Sequence, residues 1–410
     1  MSDFFQNGVI TTLQSLGDRP VDELEAELLA VTERQKIALI LPALYSEFDG
    51  PAMPGIVEQL KGAEYVDRIV LSLDRAHESE FARVKDIMGE LPQKVDVIWN
   101  DGPRVGNLLA ELVDSNFDAA EQGKGRGVWL SLGYALTYKD TRTFALHDCD
   151  IVNYDREMLT RLVYPIAHPG TDFEYAKGYY ARASDRLHGR VTRLFFTPLV
   201  RALNQICGPL QFFNYLDSFR YALAGEFAMV RSLATGIRIS PTWGLEISLL
   251  GEVFEKTTVQ RVCQVEIADS YEHKHQSLVA GKTNEGLGRM AFEIAATLFG
   301  AVAQGGVVLA PSTFGTLLAN YMRHARLAID QYSSLALLNG LEYDRHLEID
   351  AVETFSESLR AAQQRFLEDP IGIPMLGAWA RVRAAIPGFD GRLREAVEAD
   401  NQRAAAVSVG

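Results

Sequence analysis

The chain has 410 residues, 47% of them hydrophobic and 23% charged, which is the composition of a globular protein with a sizeable core. Its formal net charge of -14 argues against nucleic acid or an anionic membrane surface as a partner. The three cysteines show no metal-ligand or disulfide spacing, the N-terminus has no signal-sequence pattern, and no run of about 18 apolar residues occurs. We therefore expect a soluble cytoplasmic protein with reduced thiols.

The first part of the chain predicts a helical arm followed by a buried strand. Residues 1–35 place apolar side chains at helical spacing on both sides of Pro20. Residues 36–44 form an apolar run typical of buried parallel strands, and Pro42 is expected to stop it. The polar residues that follow, among them Glu47, would lie at the carboxyl end of this strand, where open α/β sheets bind ligands.

Strands and helices then alternate along the chain. Further strands are predicted at residues 68–74, 94–99 and 144–147, and helices at 56–60, 78–90 and 128–136. This alternation indicates an α/β fold with a doubly wound, mostly parallel sheet and helices on both faces. The later pattern is helical, so the predicted division is an N-terminal helical arm (1–35), an α/β domain (36–284) and a C-terminal helical region (285–410).

Two aspartates end the apolar strand that begins near residue 144. Because alternate side chains of a strand point to the same side, Asp148 and Asp150 can face one cation while Cys149 points into the core. Mg²⁺ and Mn²⁺ take oxygen ligands and often bind substrate phosphates as well. Two aspartates at this spacing also occur in solvated turns, so the motifs before and after them along the chain are needed to choose between the two interpretations.

The sequence Gly123-Lys124-Gly125 stands just before a predicted helix. Glycines let a backbone approach a ligand closely, and a lysine beside a helix N-terminus favours a bound anion. A flexible glycine turn is the alternative interpretation. The position of the motif shortly before the two aspartates favours the anion site.

A series of short motifs runs along roughly residues 36–280: Leu41-Pro42-Ala43-Leu44 with Glu47, Gly123-Lys124-Gly125, Asp148-Cys149-Asp150, Gly189-Arg190-Val191-Thr192, Ala224-Gly225-Glu226, Gly244-Leu245-Glu246-Ile247 and Glu272-His273. In this order they resemble the retaining GT-A glycosyltransferases, most closely the glucosyl-3-phosphoglycerate synthase family and its mannosyl-3-phosphoglycerate relatives. Mannosylglycerate synthases share several of the motifs. The motif at Gly189 favours the phosphoglycerate enzymes.

The resemblance implies a GT-A fold and a role for each motif. The residues implied in nucleotide-sugar binding are Pro42, Ala43, Leu44, Glu47, Ser72, Lys124 and Asp148. The implied ligands of Mg²⁺ or Mn²⁺ are Asp150, His273 and Asp148. The implied catalytic carboxylates are Glu226, against the donor sugar, and Glu246, near the acceptor. The implied acceptor-binding residues are Gly189, Arg190 and Thr192.

These roles imply hexose transfer from a nucleotide diphosphate sugar, with UDP-glucose favoured over GDP-mannose, to 3-phosphoglycerate or a related small acid in compatible-solute synthesis. Retention implies front-side attack assisted by the leaving diphosphate. Free glycerate stays open as the acceptor. A homodimer is expected, with the C-terminal helices supplying core packing and the dimer surface.

Alternatives remain at this point. Either glutamate can pair with a nearby arginine such as Arg220 or Arg231, and Arg190 can belong to a solvated loop. A sugar nucleotidyltransferase or a non-catalytic binding protein are the other classes. A nucleotidyltransferase would carry its glycine-rich loop directly after the first strand, where this chain has Pro42-Ala43-Leu44.

Overall fold

The computed structural model describes residue 6 and residues 8–17, 19–269, 285–372 and 374–407, with side chains up to residue 403. In these residues eight strands form one sheet: β1 (Thr11–Leu13), β2 (Lys36–Leu44), β3 (Arg68–Asp74), β4 (Lys94–Trp99), β5 (Thr141–Leu146), β6 (Tyr175–Tyr180), β7 (Phe227–Val230) and β8 (Val262–Ala268).

The α-helices before β8 are α1 (Val21–Thr32), α2 (Ala52–Lys61), α3 (Glu78–Met88), α4 (Pro103–Asp114), α5 (Lys124–Ala135), α6 (Arg156–Ala167), α7 (Thr197–Cys207), α8 (Gln211–Ser218), α9 (Arg231–Gly236) and α10 (Leu245–Lys256). Those after β8 are α11 (Gly286–Gln304), α12 (Pro311–Asn339), α13 (Arg345–Glu368), α14 (Trp379–Ala385) and α15 (Phe389–Val407). Short 3₁₀ helices span Tyr45–Asp49 and Val259–Arg261, and a π-helical segment, Val191–Phe196, leads into α7.

The strand order is β1-β8-β6-β7-β5-β2-β3-β4, and β7 runs antiparallel to both of its neighbours. This confirms the predicted α/β fold with a doubly wound, mostly parallel sheet. From β2 the chain winds outward through β3 to β4 and then returns to β5 on the other side of β2. The switch point therefore lies between β2 and β5, and ligands of such sheets bind there.

Strand β2 lies at the centre of this arrangement. Residues 37–41 are at most 1% exposed, as expected for a strand covered on both faces. Pairing with β5 ends at Ile40 opposite Leu146, but pairing with β3 continues to Leu44 opposite Asp74. Pro42 therefore does not stop the strand as predicted. Its missing N–H falls where β2 has already lost β5 as a neighbour.

The N-terminal arm is only partly helical. Helix α1 follows the prediction, but residues 11–13 form the edge strand β1, parallel to β8. The β-branched Thr12 pairs with Gln264, whose amide donates to the Thr12 hydroxyl at 2.9 Å. An available sheet edge thus prevails over the helical spacing.

The C-terminal helices pack in two directions. Helices α11 and α13 pack together, and α12 packs against α7, whereas α15 covers β4, α3 and α4 at the opposite edge of the sheet. Asn401 of α15 accepts from the Val97 N–H at 3.0 Å and donates to its carbonyl at 2.8 Å, which closes the exposed edge of β4. Trp379 stacks on Trp129 of α5 with ring centroids 4.4 Å apart.

One described helix, α11, is long and apolar enough to span a membrane by length and composition. It packs against α10 and α13, and residues such as Ile294 and Leu298 are fully buried there. The buried side of α11 therefore belongs to the core of the protein.

Candidate active site

A cleft of about 820 Å³ opens at the switch point between the carboxyl ends of β2 and β5. The sequence-predicted site residues that line it are Pro42, Ala43, Leu44, Glu47, Lys124, Asp148, Asp150, Gly189, Arg190, Thr192 and Glu246. Ser72 and Glu226 are fully buried behind its wall. His273 lies outside the residues that the structure describes.

Asp148 and Asp150 lie in the loop after β5, which ends at Leu146. Between them Cys149 is 2% exposed and points into the core, as predicted. Burial, and then repulsion by Asp148, raises the pKa of Asp150 to about 7. A divalent cation bound between the two carboxylates would reduce this repulsion.

The metal implied by the resemblance fits these residues. Both aspartates present the carboxylate oxygens that Mg²⁺ and Mn²⁺ prefer, and both line the cleft. The described ranges contain no cluster of three or more metal-binding side chains. The third ligand predicted from sequence, His273, is not among those residues.

Lys124 links two acidic groups of the cleft. Its Nζ lies 2.7 Å from Oδ1 of Asp148 and 3.2 Å from Oε1 of Glu246, a residue of the first turn of α10. Burial alone would lower the pKa of Lys124, but the two carboxylates raise it above its usual value. The lysine is therefore a permanent cation at the N-terminus of α5, where an anionic group is favoured.

The glycines beside Lys124 serve a purpose that the motif did not suggest. A Cβ on Gly125 would lie 1.9 Å from the carbonyl oxygen of Ser240, and one on Gly123 would lie 2.6 Å from that of Pro241. The glycines thus let another part of the chain approach closely, and Arg126 N donates to Pro241 O at 3.0 Å. This contact brings the segment that leads to Glu246 against the start of α5.

Glu226 precedes the antiparallel strand β7, so it lies at the edge of the sheet where the parallel strands end. Its Oε2 accepts a hydrogen bond of 2.8 Å from the Tyr180 hydroxyl. A Cβ on the preceding Gly225 would lie 2.2 Å from the Asp148 carboxylate, so any larger residue there would displace this aspartate. Glu226 is thereby held directly behind the aspartate pair.

Arg220 and Arg231, the two arginines suggested as partners of Glu226 and Glu246, contact other groups among the described residues. Arg231 donates to the carbonyls of Tyr138 and Thr141, and Arg220 lies over the Tyr179 ring.

Lys177 of β6 was not predicted from the sequence. It is fully buried, and burial lowers its pKa to about 8, although Glu246 and Glu226 act in the opposite direction. A lone lysine within an apolar strand gave no signal of this position.

The end of the cleft beside β3 and β4 contains polar residues that the sequence analysis did not assign. Asp74, the last residue of β3, and Asp101, just past β4, line the cleft together with Arg75. Burial raises the pKa of Asp74 to about 6, partly offset by a hydrogen bond with Asn100. The position of Asp74 and Asp101 at the ends of predicted strands was a usable signal. Ser72 instead accepts from the Asn100 amide at 2.8 Å, so its contact with a nucleotide stays a prediction.

The acceptor motif lies on the far side of the cleft. Gly189 has a φ of +72°, a conformation that favours glycine, and Arg190 follows at the start of the π-helical segment. Arg190 Nε donates to Oε1 of Glu348 in α13 at 2.8 Å. The loop is therefore tied to the C-terminal region, in contrast to the solvated-loop alternative.

The C-terminal helices also contribute to the cleft wall, through Leu287, Arg289 and Met290 of α11 and Leu347 of α13. From the sequence we expected these helices to supply core packing and a dimer surface. Their apolar spacing gave no indication of which residues would reach the cleft, because that depends on how the helices dock.

A doubly wound sheet with two carboxylates and a lysine at its switch point is the arrangement expected of a metal-dependent glycosyltransferase of the GT-A class. No protein-family model matches the chain. Among known proteins it is 57% identical to glucosyl-3-phosphoglycerate synthase of Persephonella marina over 401 residues, which cover 98% of this chain and 99% of the relative. The chain belongs to the glucosyl-3-phosphoglycerate synthase family.

Further relatives agree with this assignment. The enzyme of the same name from Methanococcoides burtonii is 33% identical over 410 residues, covering 97% of this chain and 98% of the relative. The crystal structure of the Mycobacterium tuberculosis enzyme with Mg²⁺ and UDP has 24% identity and a TM-score of 0.53, covering 74% of this chain and 89% of that one. A second, with Mn²⁺, UDP-glucose and phosphoglyceric acid, has 23% identity and a TM-score of 0.54, covering 73% and 89%. At these identities the two structures support the fold.

Proposed function

We propose that this protein transfers the glucosyl group of UDP-glucose to 3-phosphoglycerate, with retention of configuration and with Mg²⁺ or Mn²⁺ as cofactor. The observation that carries the proposal is the full-length relationship to the Persephonella marina enzyme, at 57% identity. The Mycobacterium tuberculosis enzyme has been crystallised with both of these substrates and Mn²⁺. The cleft has the residue types that such a reaction requires.

On the donor side, we assign the nucleotide to Pro42, Ala43, Leu44 and Glu47, which line the cleft at the carboxyl end of β2, with Ser72 behind them. Lys124 would lie beside the diphosphate, since its ammonium group is fixed between two carboxylates at a helix N-terminus. Glu226 would accept hydrogen bonds from hydroxyl groups of the sugar.

We assign Asp150, His273 and Asp148 as the metal ligands. Asp148 would contact either the metal or the ribose of the nucleotide. A bound Mg²⁺ or Mn²⁺ would neutralise the charge that develops on the departing diphosphate. The permanent charge of Lys124 would act in the same direction. Its ammonium group, 3.2 Å from Oε1 of Glu246, would also fix that carboxylate in position beside the acceptor.

On the acceptor side, Gly189, Arg190 and Thr192 are assigned to the phosphate group. The acceptor hydroxyl oxygen would bond to the anomeric carbon on the face from which the diphosphate leaves, and the hydroxyl proton would pass to a diphosphate oxygen. Glu246 would orient the acceptor beside this centre. No covalent enzyme intermediate is required by this scheme.

Product analysis tests the function directly. The protein is incubated with Mn²⁺, UDP-glucose or GDP-mannose, and 3-phosphoglycerate or glycerate, and the products are identified by mass spectrometry. We expect glucosyl-3-phosphoglycerate from the first donor and the phosphorylated acceptor, with α-configuration in the NMR spectrum of the product. Preferential mannosyl transfer or a preference for glycerate would contradict the substrate assignment, and a sugar nucleotide made from a nucleoside triphosphate would contradict the reaction class.

We further propose a cytoplasmic homodimer. The free thiols of Cys149, Cys207 and Cys263 are consistent with a reducing compartment. Light scattering after size-exclusion chromatography measures the mass in solution, and a value of one chain, 45.4 kDa, would contradict the dimer.

A further inference from the structure

Two arginines of the cleft wall are held by the same arrangement. Arg190 Nε donates to Oε1 of Glu348 at 2.8 Å, and Arg289 Nε donates to Oε1 of Glu293, also at 2.8 Å. The two glutamates are only 3% and 4% exposed, while the arginine side chains are 32% and 50% exposed. A buried carboxylate therefore binds Nε of each arginine, and each arginine lines the cleft.

Both glutamates have a second partner that fixes them. Glu348 also pairs with Arg193 at 2.8 Å, and Glu293 accepts the backbone N–H of Trp243 at 2.8 Å. Because these contacts hold each carboxylate in place, the attached arginine keeps its direction. Anchoring through Nε leaves the two terminal nitrogens of the guanidinium for a bidentate contact with a carboxylate or phosphate.

Two other arginines of the cleft wall are held differently. Arg182 donates through Nη1 to the Tyr221 hydroxyl at 2.7 Å. Arg186 places both Nε and Nη2 against Asp185 and also pairs with Glu342. Each of them thus has at least one terminal nitrogen engaged within the protein, which makes Arg190 and Arg289 the better candidates for an anionic ligand.

The position of Arg289 suggests which anionic group it meets. Through Glu293 it is tied to Trp243, in the segment that leads into the first turn of α10 and Glu246. Helix α11 also packs against the π-helical segment that follows Arg190. The acceptor 3-phosphoglycerate has a carboxylate on one side of its reactive hydroxyl and a phosphate on the other. With its phosphate at Arg190, the carboxylate is the group left for Arg289.

We propose that Arg289 binds the carboxylate of the acceptor and that Glu293 positions it, so that the two arginines hold the acceptor at both ends of its reactive hydroxyl. This inference rests on the proposed function and on the assignment of Arg190 to the phosphate. It makes α11 part of the acceptor site and explains why a buried carboxylate on that helix faces the cleft wall.

Glycerol 3-phosphate provides the test, since it keeps the phosphate of the acceptor and lacks the carboxylate. Binding of each compound is measured by calorimetry in the presence of UDP and Mn²⁺. For Arg289→Ala we expect 3-phosphoglycerate to bind roughly 10- to 100-fold more weakly, because a charge-assisted contact is lost, with about a twofold effect or less on glycerol 3-phosphate. Arg190→Ala should weaken both compounds. Arg365→Ala, in an exposed i,i+4 ion pair of α13, is the matched control and should change neither.

Glu293→Gln tests the positioning role, since the amide oxygen can still accept the Trp243 N–H while the charge is lost. We expect a selective weakening of 3-phosphoglycerate by about 3- to 10-fold, smaller than for Arg289→Ala. A purely structural role would instead weaken both compounds equally, and this result would remove Glu293 from the proposal.

The possible outcomes separate the role proposed for Arg289 from the proposed glucosyl transfer to 3-phosphoglycerate. If the wild type binds 3-phosphoglycerate and Arg289→Ala weakens both compounds equally or leaves 3-phosphoglycerate unchanged, the carboxylate assignment is wrong while the proposed function stands. If the wild type fails to bind 3-phosphoglycerate, both are wrong.

Discussion

The two walls of the cleft are built in different ways. The wall that we assign to the donor, here called the donor wall, is formed by residues 42–44, Glu47, Asp74, Lys124, Asp148 and Asp150 and comes mostly from strand ends within one stretch of the chain. The wall that we assign to the acceptor, the acceptor wall, joins a loop to two helices from much later in the chain, and its residues are 182, 184–192, 287, 289, 290 and 347. Its central ion pair connects residues 158 positions apart.

The difference shows how each wall obtains its charge. On the donor wall the sheet itself brings acidic groups together, and one lysine balances them. On the acceptor wall each anchored arginine needs a carboxylate from a C-terminal helix. Donor binding is therefore expected to depend on the sheet, and acceptor binding on how the C-terminal helices dock. Four predictions test this comparison.

The largest effect is expected at the donor wall. Asp150→Ala should reduce turnover on the order of 10³-fold, because metal charge stabilisation is worth several kcal/mol in the transition state, while the fold is retained. Excess chelator should have the same effect on the wild type. Initial rates with Mn²⁺ and circular dichroism measure both points, with Asp114→Ala on the exposed face of α4 as the control. Full activity in either condition would contradict a metal-dependent donor wall.

The next prediction concerns the attachment of the C-terminal region to the sheet. Trp379→Ala removes a stacked ring and the Nε1 hydrogen bond to Trp129 O, so we expect a loss of about 3–5 kcal/mol in the free energy of unfolding. Urea titrations followed by fluorescence and circular dichroism measure it. Trp379→Phe, which keeps a ring in place, should lose less. Two separate unfolding transitions in the wild type would show that the two regions fold independently.

A smaller effect concerns Asp74 on the donor wall. Its pKa is raised from 3.8 to about 6 by burial, so the folded state binds this proton more tightly than the unfolded state. The resulting stabilisation is complete below about pH 4 and is lost as the pH rises through about 6, and it amounts to about 2–3 kcal/mol.

Asp74→Asn should remove this pH dependence and be more stable than the wild type at pH 7.5. Urea unfolding of both proteins between pH 4 and pH 8 measures the difference, and Asp118→Asn on the surface serves as the control. A difference that is constant over this pH range would contradict the assignment of the raised pKa to Asp74.

The smallest effect is expected on the acceptor wall. Glu348→Gln weakens the anchor of Arg190, so the KM for 3-phosphoglycerate should rise about tenfold, the size expected for one charge-assisted hydrogen bond. The KM for UDP-glucose should stay within about twofold, which initial-rate measurements at saturating second substrate can establish. Glu353→Gln on the exposed side of α13 is the matched control. An equal rise for both substrates would mean that the two walls are not separable.

The sequence predicted the donor wall better than the acceptor wall for a physical reason. Local runs of apolar residues predict the strands 36–44, 68–74 and 94–99, and parallel strands necessarily bring their carboxyl ends to one edge of the sheet. The local pattern was misleading where a neighbour decided the outcome. Residues 11–13 became a strand because β8 offered an edge.

The sequence by itself determined the α/β class, the position of the aspartate pair past β5 and the family to which the chain belongs. Only the tertiary structure decided that Lys124 would balance Asp148 and Glu246, and that Glu293 and Glu348 would anchor Arg289 and Arg190. Hydrophobic periodicity predicts which face of a helix is buried, but it does not predict which other element of the fold that face packs against. Charge pairs between distant parts of the chain form only when whole helices dock, so no local pattern announces them.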